Sequence, residues 1–165
     1  MEGVGVEVFP SLCGEVKKED GEEECREAVR RTLEERGTFD LVLYTDGSAS
    51  EGVRKGGAAC VGWMDGEEFV SREAVGVWCS SFVAEVRALL LAVECVRDRG
   101  VSSALILSDS QSAVKVLCGG KCARSELVRR LEREVLVLSR DGGVRLVIQW
   151  IPGHVGIVGN EWADR

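Results

Sequence analysis

No apolar run in this 165-residue sequence approaches the roughly 18 residues that would read as a membrane span. Its first residues, Met1-Glu2-Gly3-Val4, lack the basic start and apolar block of a signal peptide, so the expected location is intracellular, cytoplasmic or nuclear. There is no repeat of solenoid length and no low-complexity tract. Histidine occurs once, at position 154. Seven cysteines are present, at 13, 25, 60, 79, 95, 118 and 122. The only close pair, Cys118-Gly-Gly-Lys-Cys122, has neither a second cysteine pair nor a nearby histidine, so no zinc site is expected. Cys60, Cys79 and Cys95 stand in apolar stretches and read as small buried residues in a reducing compartment.

What is there is the balance of a soluble globular chain: 45% apolar and 30% charged residues, enough for one domain with a real core. The formal net charge of −7 argues against a polyanionic partner only until it is divided along the chain. Residues 1–37 hold 11 acidic and 6 basic side chains, whereas residues 38–165 hold 17 and 15. The acidity is therefore concentrated in the leader. Nucleic acid stays open as a partner.

Residues 1–20 show no sustained periodicity and read as a loose leader. Glu22 to Arg36 is a helix candidate with a thin apolar stripe (Ala28, Val29, Leu33), stopped by Gly37 and marginal alone. From Asp40 the pattern changes to strands. Leu41 to Thr45 is a buried-strand signal that runs into the turn sequence Asp46-Gly47-Ser48. Gly56 to Met64 and Phe69 to Trp78 flank Asp65-Gly66, a hairpin signal. A helix is expected over about 80–99, with apolar residues at alternating steps of four and three and Gly100 as its stop. A fourth strand, Ala104 to Ser108, ends at Asp109. Helices follow at about 111–118 and 125–139, then a fifth strand from Val144 to Trp150. Three strands in succession followed by alternating helices and strands predict a mixed α/β sheet.

Two strands end alike, Leu43-Tyr44-Thr45-Asp46-Gly47 and Ile106-Leu107-Ser108-Asp109-Ser110, each with a carboxylate where the chain leaves the sheet. If the strands are parallel neighbours, both acids sit at the edge where ligand crevices of open α/β sheets form. Taken alone, either aspartate reads more readily as a turn or helix cap. Glu85 changes that balance. It lies within the apolar face of its helix, where an unpaired carboxylate costs several kcal/mol. An arginine could be its partner, but a cation shared with Asp46 and Asp109 accounts for all three residues. Carboxylates without histidine or cysteine suit Mg²⁺ or Mn²⁺ rather than Zn²⁺.

Four segments together, Tyr44-Thr45-Asp46-Gly47-Ser48, Ser80 to Glu85, Leu107 to Ala113 and Trp150 to Asp164, resemble type 1 ribonuclease H. Within that family they look most like the domains carried by non-LTR (LINE-type) retrotransposons. The resemblance covers about residues 38–165. It implies an RNase H-like fold, a five-stranded mixed sheet of order 3-2-1-4-5 with helices on its faces. It also implies endonucleolytic hydrolysis of the RNA strand of an RNA–DNA hybrid, with Asp46, Glu85, Asp109 and Asp164 holding two Mg²⁺ ions and Mn²⁺ as a possible substitute. His154 matches a mobile histidine credited with proton transfer or product release. Gly47 and Ser48, with the loop as far as Gly52, Gln111 and Asn160 match positions that touch the hybrid, and Asn160 also reads as a helix N-cap.

The chain departs from the family in two places. In place of a basic protrusion there is a short loop around Cys118 to Arg124, for which Lys121, Arg124, Arg129, Arg130 and Arg133 could partly substitute as phosphate contacts. The sequence also stops at Arg165, barely one turn into the helix bearing Asp164. The expected organisation is thus an acidic leader over 1–37 and a nuclease domain over 38–165, truncated in its C-terminal helix. A reverse transcriptase domain of the same polyprotein is a possible partner, and no membrane is. The rival readings are another nuclease or transposase on the same fold, or a binding or scaffolding module that has kept the fold.

Overall fold

Strand β2 (Leu41–Ser48) begins the central part of the sheet and is followed by the hairpin of β3 (Gly56–Met64) and β4 (Glu67–Gly76). The turn between β3 and β4 is Asp65-Gly66, with φ of 53° and 78°. Both values lie in the left-handed region that a two-residue hairpin turn of this kind requires, which aspartate tolerates and glycine prefers. The structure is a computed structural model and describes residues 5–14, 21–48, 56–76, 80–119 and 125–153.

Helix α2 (Ser81–Arg99) follows the hairpin, then β5 (Ser103–Ser108), α3 (Gln111–Val116), α4 (Glu126–Arg140) and β6 (Arg145–Trp150). The helix ends follow from local chemistry. Ser80 accepts a hydrogen bond from the Val83 N–H at 3.2 Å, and Ser125 accepts one from the Val128 N–H at 3.3 Å. Each cap satisfies a backbone donor that the helix itself leaves unpaired. Gly100 ends α2 in the left-handed conformation, the usual glycine stop.

Among the described residues, six strands form one sheet of order β1-β6-β5-β2-β3-β4. The strands β4-β3-β2-β5-β6 run in the order expected of the five-stranded RNase H-like sheet. The sixth, β1 (Val6–Phe9), lies in the segment expected to be a loose leader and pairs in parallel with β6, from Val6 opposite Leu146 to Phe9 opposite Gln149. Strands β6, β5 and β2 are parallel neighbours, and β3 and β4 add to them antiparallel.

Alternation along the strands divides the core. In β5, Ala104 and Ile106 face α2 and α4, whereas Leu105 and Leu107 face the side covered by helix α1 (Glu22–Arg36), as a period of two requires. On the first side Leu89, Leu90, Leu131 and Ile106 are fully buried, and each contributes about 1.5–3 kcal/mol by leaving water. On the second, the stripe read from sequence, Ala28, Val29 and Leu33, packs with Leu12, Val42, Trp63 and Val147. Marginal alone, α1 is held by this apolar contact.

One fully buried polar side chain, Gln149, joins the N-terminal segment to the sheet. Its amide nitrogen donates to the Ser11 carbonyl at 3.0 Å and to the Trp150 carbonyl at 2.7 Å, and its oxygen accepts from Arg36 Nε at 2.9 Å. Arg36 also lies over the Phe9 ring, 3.4 Å from its centre. Gln149→Leu keeps the volume but leaves the guanidinium and the Ser11 carbonyl without these partners. Urea denaturation should show a loss of roughly 2–4 kcal/mol. A loss below about 0.5 kcal/mol would mean that water replaces the amide without penalty.

Candidate active site

The parallel register of β2 and β5 sets Thr45 opposite Ser108, so Asp46 and Asp109 leave this pairing at the same end. The junction is fixed by hydroxyls. Thr45 Oγ1 donates to the Leu107 carbonyl at 3.2 Å, and Ser108 Oγ accepts from the Ser110 N–H at 3.1 Å. The sequence places a turn at Asp46-Gly47-Ser48. Instead, β2 continues through these residues, because Asp46, Gly47 and Ser48 pair with Ala59, Ala58 and Gly57 of β3.

Gly47 has a second role there. A Cβ at this position would stand 2.5 Å from the Glu85 nitrogen and 2.6 Å from the Ala84 carbonyl oxygen. No side chain fits, so the backbone of α2 lies directly against β2. This contact carries Glu85 to the strand end that bears Asp46.

The three acids share one electrostatic neighbourhood. Burial pushes the Glu85 carboxyl up to about 7, the Asp109 charge adds to the rise, a hydrogen bond from the Gly47 backbone opposes it, and Asp46 raises it further. Glu85 Oε2 is buried with no hydrogen-bond partner among the described residues. Arg87, two residues along the same helix and so on a different face from Glu85, is paired with Glu73 of β4.

Asp109 is held from three sides. The Tyr44 hydroxyl donates to its Oδ2 at 3.3 Å, and the Trp150 indole nitrogen donates to its backbone carbonyl at 3.2 Å. Gly153 borders the carboxylate closely enough that a Cβ there would meet Oδ2 at 3.2 Å. Burial raises the Tyr44 hydroxyl well above its ordinary value, and the charges of Asp109 and Asp46 raise it further. It therefore acts as a donor throughout the physiological range. Sequence reasoning missed the roles of Tyr44 and Trp150. Tyr44 stands two residues before Asp46 on the same strand, a spacing that puts both on one face, and that was the available signal.

Glu85 and Asp109 line an open cleft of about 350 Å³ with Ser81, Phe82, Ser110, Ser112 and Gly153. Asp46 and Ser48 line a second, of about 550 Å³, along β3 and β4 with Arg72 and Glu73. As the side chains stand, no group of three or more acids, histidines or cysteines among the described residues converges tightly enough to hold a cation. Three mutually repelling carboxylates have reason to stand apart. Gln111, expected at the substrate, donates its amide to the Pro10 carbonyl at 2.9 Å. His154, Asn160 and Asp164 lie outside the described residues, as do Lys121, Arg124 and the loop over 49–52. On α4, Arg130 pairs with Glu94 and Arg133 with Glu126, at 3.2 and 3.3 Å, so part of the expected basic patch is already neutralised.

Residues 39–165 match the family described as RNase H. The chain belongs to the RNase H family. It is accordingly a ribonuclease H, and phosphodiester hydrolysis is the chemistry its site must perform. Among solved structures, the fold is similar to RNase H1 from the halophilic archaeon Halobacterium salinarum, with a TM-score of 0.56, 23% identity, and coverage of 68% of this chain and 86% of that one. It is also similar to LC11-RNase H1 in complex with an RNA/DNA hybrid, with a TM-score of 0.57, 20% identity, and coverage of 73% and 91%. A third similar structure is the foamy viral protease-reverse transcriptase in complex with dsDNA, with a TM-score of 0.58, 20% identity, and coverage of 76% and 90%. No helix among the described residues is long and apolar enough to cross a membrane.

The raised carboxyl of Glu85 has a consequence for the metal-free protein. The native state holds this proton more tightly than the unfolded chain does, since its carboxyl titrates near 7 rather than at the ordinary 4.5. Stability should therefore fall as pH rises from about 4.5 to about 7 and then level off. In chelator, urea denaturation across this window should show that decline in the wild type and its loss in Glu85→Gln. Parallel profiles for the two proteins would mean that Glu85 is not buried as a free acid.

Proposed function

We propose that this ribonuclease H cuts the RNA strand of an RNA–DNA hybrid in a reaction that depends on divalent metal, and that it belongs to a retroelement of the non-LTR type. The observation that carries the metal dependence is Glu85, a half-buried carboxylate whose Oε2 is buried with no hydrogen-bond partner among the described residues, beside two further acids. A carboxylate oxygen cut off from water in this way is stabilised by a counter-charge, and the donors at hand are hard oxygens suited to Mg²⁺ or Mn²⁺. The residues fit such ions. Asp46, Glu85 and Asp109 would hold them, together with Asp164 by the family resemblance. When bound, two such ions supply positive charge against the scissile phosphate and lower the pKa of an attacking water.

The remaining work falls to the chain's own groups. Tyr44 fixes the orientation of Asp109 by donating to Oδ2, and Trp150 fixes the backbone from which Asp109 projects. Ser81, Ser110 and Ser112 bring hydroxyls to the same cleft, where they can meet phosphate or a 2′-hydroxyl, the group that distinguishes RNA from DNA. Hydrolysis breaks the bond between phosphorus and the 3′ oxygen and forms one to water oxygen, leaving a 5′-phosphate and a 3′-hydroxyl. His154 is assigned proton transfer or product release, and Gly47, Ser48, Gln111 and Asn160 are assigned contacts to the hybrid. Hybrid as substrate agrees with the ligand of LC11-RNase H1. A retroelement source, with a reverse transcriptase domain as partner, agrees with the motif resemblance and with the protease-reverse transcriptase among the similar structures.

Incubation with labelled RNA–DNA hybrid, double-stranded RNA and single-stranded DNA, in Mg²⁺ or in EDTA, tests this reading. Only the hybrid should be cut, and only with Mg²⁺. Asp46→Asn should abolish cleavage while leaving the metal-free protein as stable or more so, because one of three repelling charges is gone. Mg²⁺ should raise the melting temperature of the wild type and have little effect on that of the variant. Early melting of Asp46→Asn in EDTA would make Asp46 a structural residue. His154→Ala should slow turnover roughly 10- to 10⁴-fold and retain the Mg²⁺-dependent rise in melting temperature. An unchanged multiple-turnover rate would remove His154 from the reaction.

A further inference from the structure

Away from the acids, two thiols that the proposed hydrolysis does not use face each other. Cys60 on β3 is fully buried, and Cys95, toward the C-terminal end of α2, is partly exposed. Their sulfurs lie 3.6 Å apart, already in contact. A disulfide needs an approach of about 1.5 Å more, to the bonded length of roughly 2.05 Å, a distance within reach of small side-chain rotations. Read singly, each cysteine is a small core residue. Read together, they make a dithiol, one residue partly exposed and the other fully buried beside it. A cation is also fixed nearby, since the Arg99 guanidinium lies over the Phe69 ring, 3.4 Å from its centre.

We propose that Cys95 and Cys60 are a reactive and a resolving thiol that close to an intramolecular disulfide on meeting a low-molecular-weight disulfide such as oxidised glutathione. The Cys95 thiolate attacks one sulfur of oxidised glutathione. This forms a mixed disulfide and expels one glutathione thiolate. Cys60, a thiol that its contact with Cys95 and burial keep protonated until then, gives its proton to the glutathione thiolate expelled in the first step, attacks the Cys95 sulfur and expels the second glutathione. The two protein thiols lose two electrons and two protons, and one oxidised glutathione becomes two reduced molecules. The Cys95 thiol is lowered by hydrogen bonds from Cys60 and Ser71 and by the Arg99 charge, against the opposing effect of burial, which suits it to be the attacking partner. The closed bond would tie α2, which carries Glu85, to the strand residue next to Ala59, the partner of Asp46.

The test uses the full 165-residue chain as wild type, Cys60→Ala and Cys95→Ser. Each is incubated with oxidised glutathione, quenched in acid, and read by intact mass and peptide mapping. The wild type should lose two hydrogens, with Cys60 and Cys95 in one cross-linked peptide, and recover them in dithiothreitol. Cys60→Ala should stop at glutathione on Cys95, and Cys95→Ser should form neither product at these sites. Oxidised wild type should melt roughly 5–10 °C above the reduced protein. Absence of the 60–95 cross-link, or modification of exposed Cys118 while Cys95 stays free in Cys60→Ala, would overturn the proposal. Should Cys60→Ala not fold, the wild-type cross-link and its absence in Cys95→Ser decide alone.

Discussion

The contact between Gly47 and the backbone of Ala84 and Glu85 sets the geometry of the candidate site. Strand and helix meet there with no side chain between them, which an ordinary residue at 47 would forbid. The contact lets α2 begin against β2 at the level of Asp46, and it brings the Gly47 N–H to the Glu85 carboxylate. Asp109 reaches the same place because β5 runs parallel to β2 in a register that aligns Thr45 with Ser108. Three acids from three elements thus share a neighbourhood because of one missing side chain and one strand pairing.

That convergence has an energetic cost. A protein selected only for stability would give Glu85 an arginine or replace it with an apolar residue, since a carboxylate oxygen buried without a partner among the described residues carries a desolvation cost. The strain is electrostatic and would be relieved by positive charge. Such an arrangement is expected where burial and like charges hold an acid poised for a function.

Much of this was legible in the sequence. The helices were found within a residue or two, with Gly37 and Gly100 read as stops, and the structure adds Ser80 and Ser125 as caps. The hairpin at Asp65-Gly66 and the crossovers through helices pointed to a mixed sheet, and the order of its five strands came with the family resemblance. Asp46, Glu85 and Asp109 could be picked out because each is a carboxylate in an apolar setting. What escaped notice depends on long-range pairing. Val6-Glu7-Val8-Phe9 is only four residues long, and it is a strand because β6, about 140 residues away in sequence, offers an edge. Cys60 and Cys95 each look like core residues, and only the packing of α2 on β3 reveals that they touch. Tyr44 and Trp150 read as strand residues until the fold aims both at Asp109.

The N-terminal segment shows how the site is supported from beyond the family match, which begins at residue 39. Gln149 binds Ser11 and Arg36 on one side, and its neighbour Trp150 donates to the carbonyl of Asp109 on the other. Gln111, two residues past Asp109, donates to Pro10. The turn bearing Asp109 is therefore bracketed by two glutamines, and both are tied to residues 10 and 11. A carboxylate that must approach other carboxylates is pushed outward by them, and a turn held only by its own strand could yield to that push. Anchoring the turn through Gln149 and Gln111 resists it at the backbone and leaves the Asp109 side chain to Tyr44 and to the cleft. On this argument the segment over 5–14, acidic chain context notwithstanding, belongs mechanically to the site, because it opposes the repulsion that the site's own charges create.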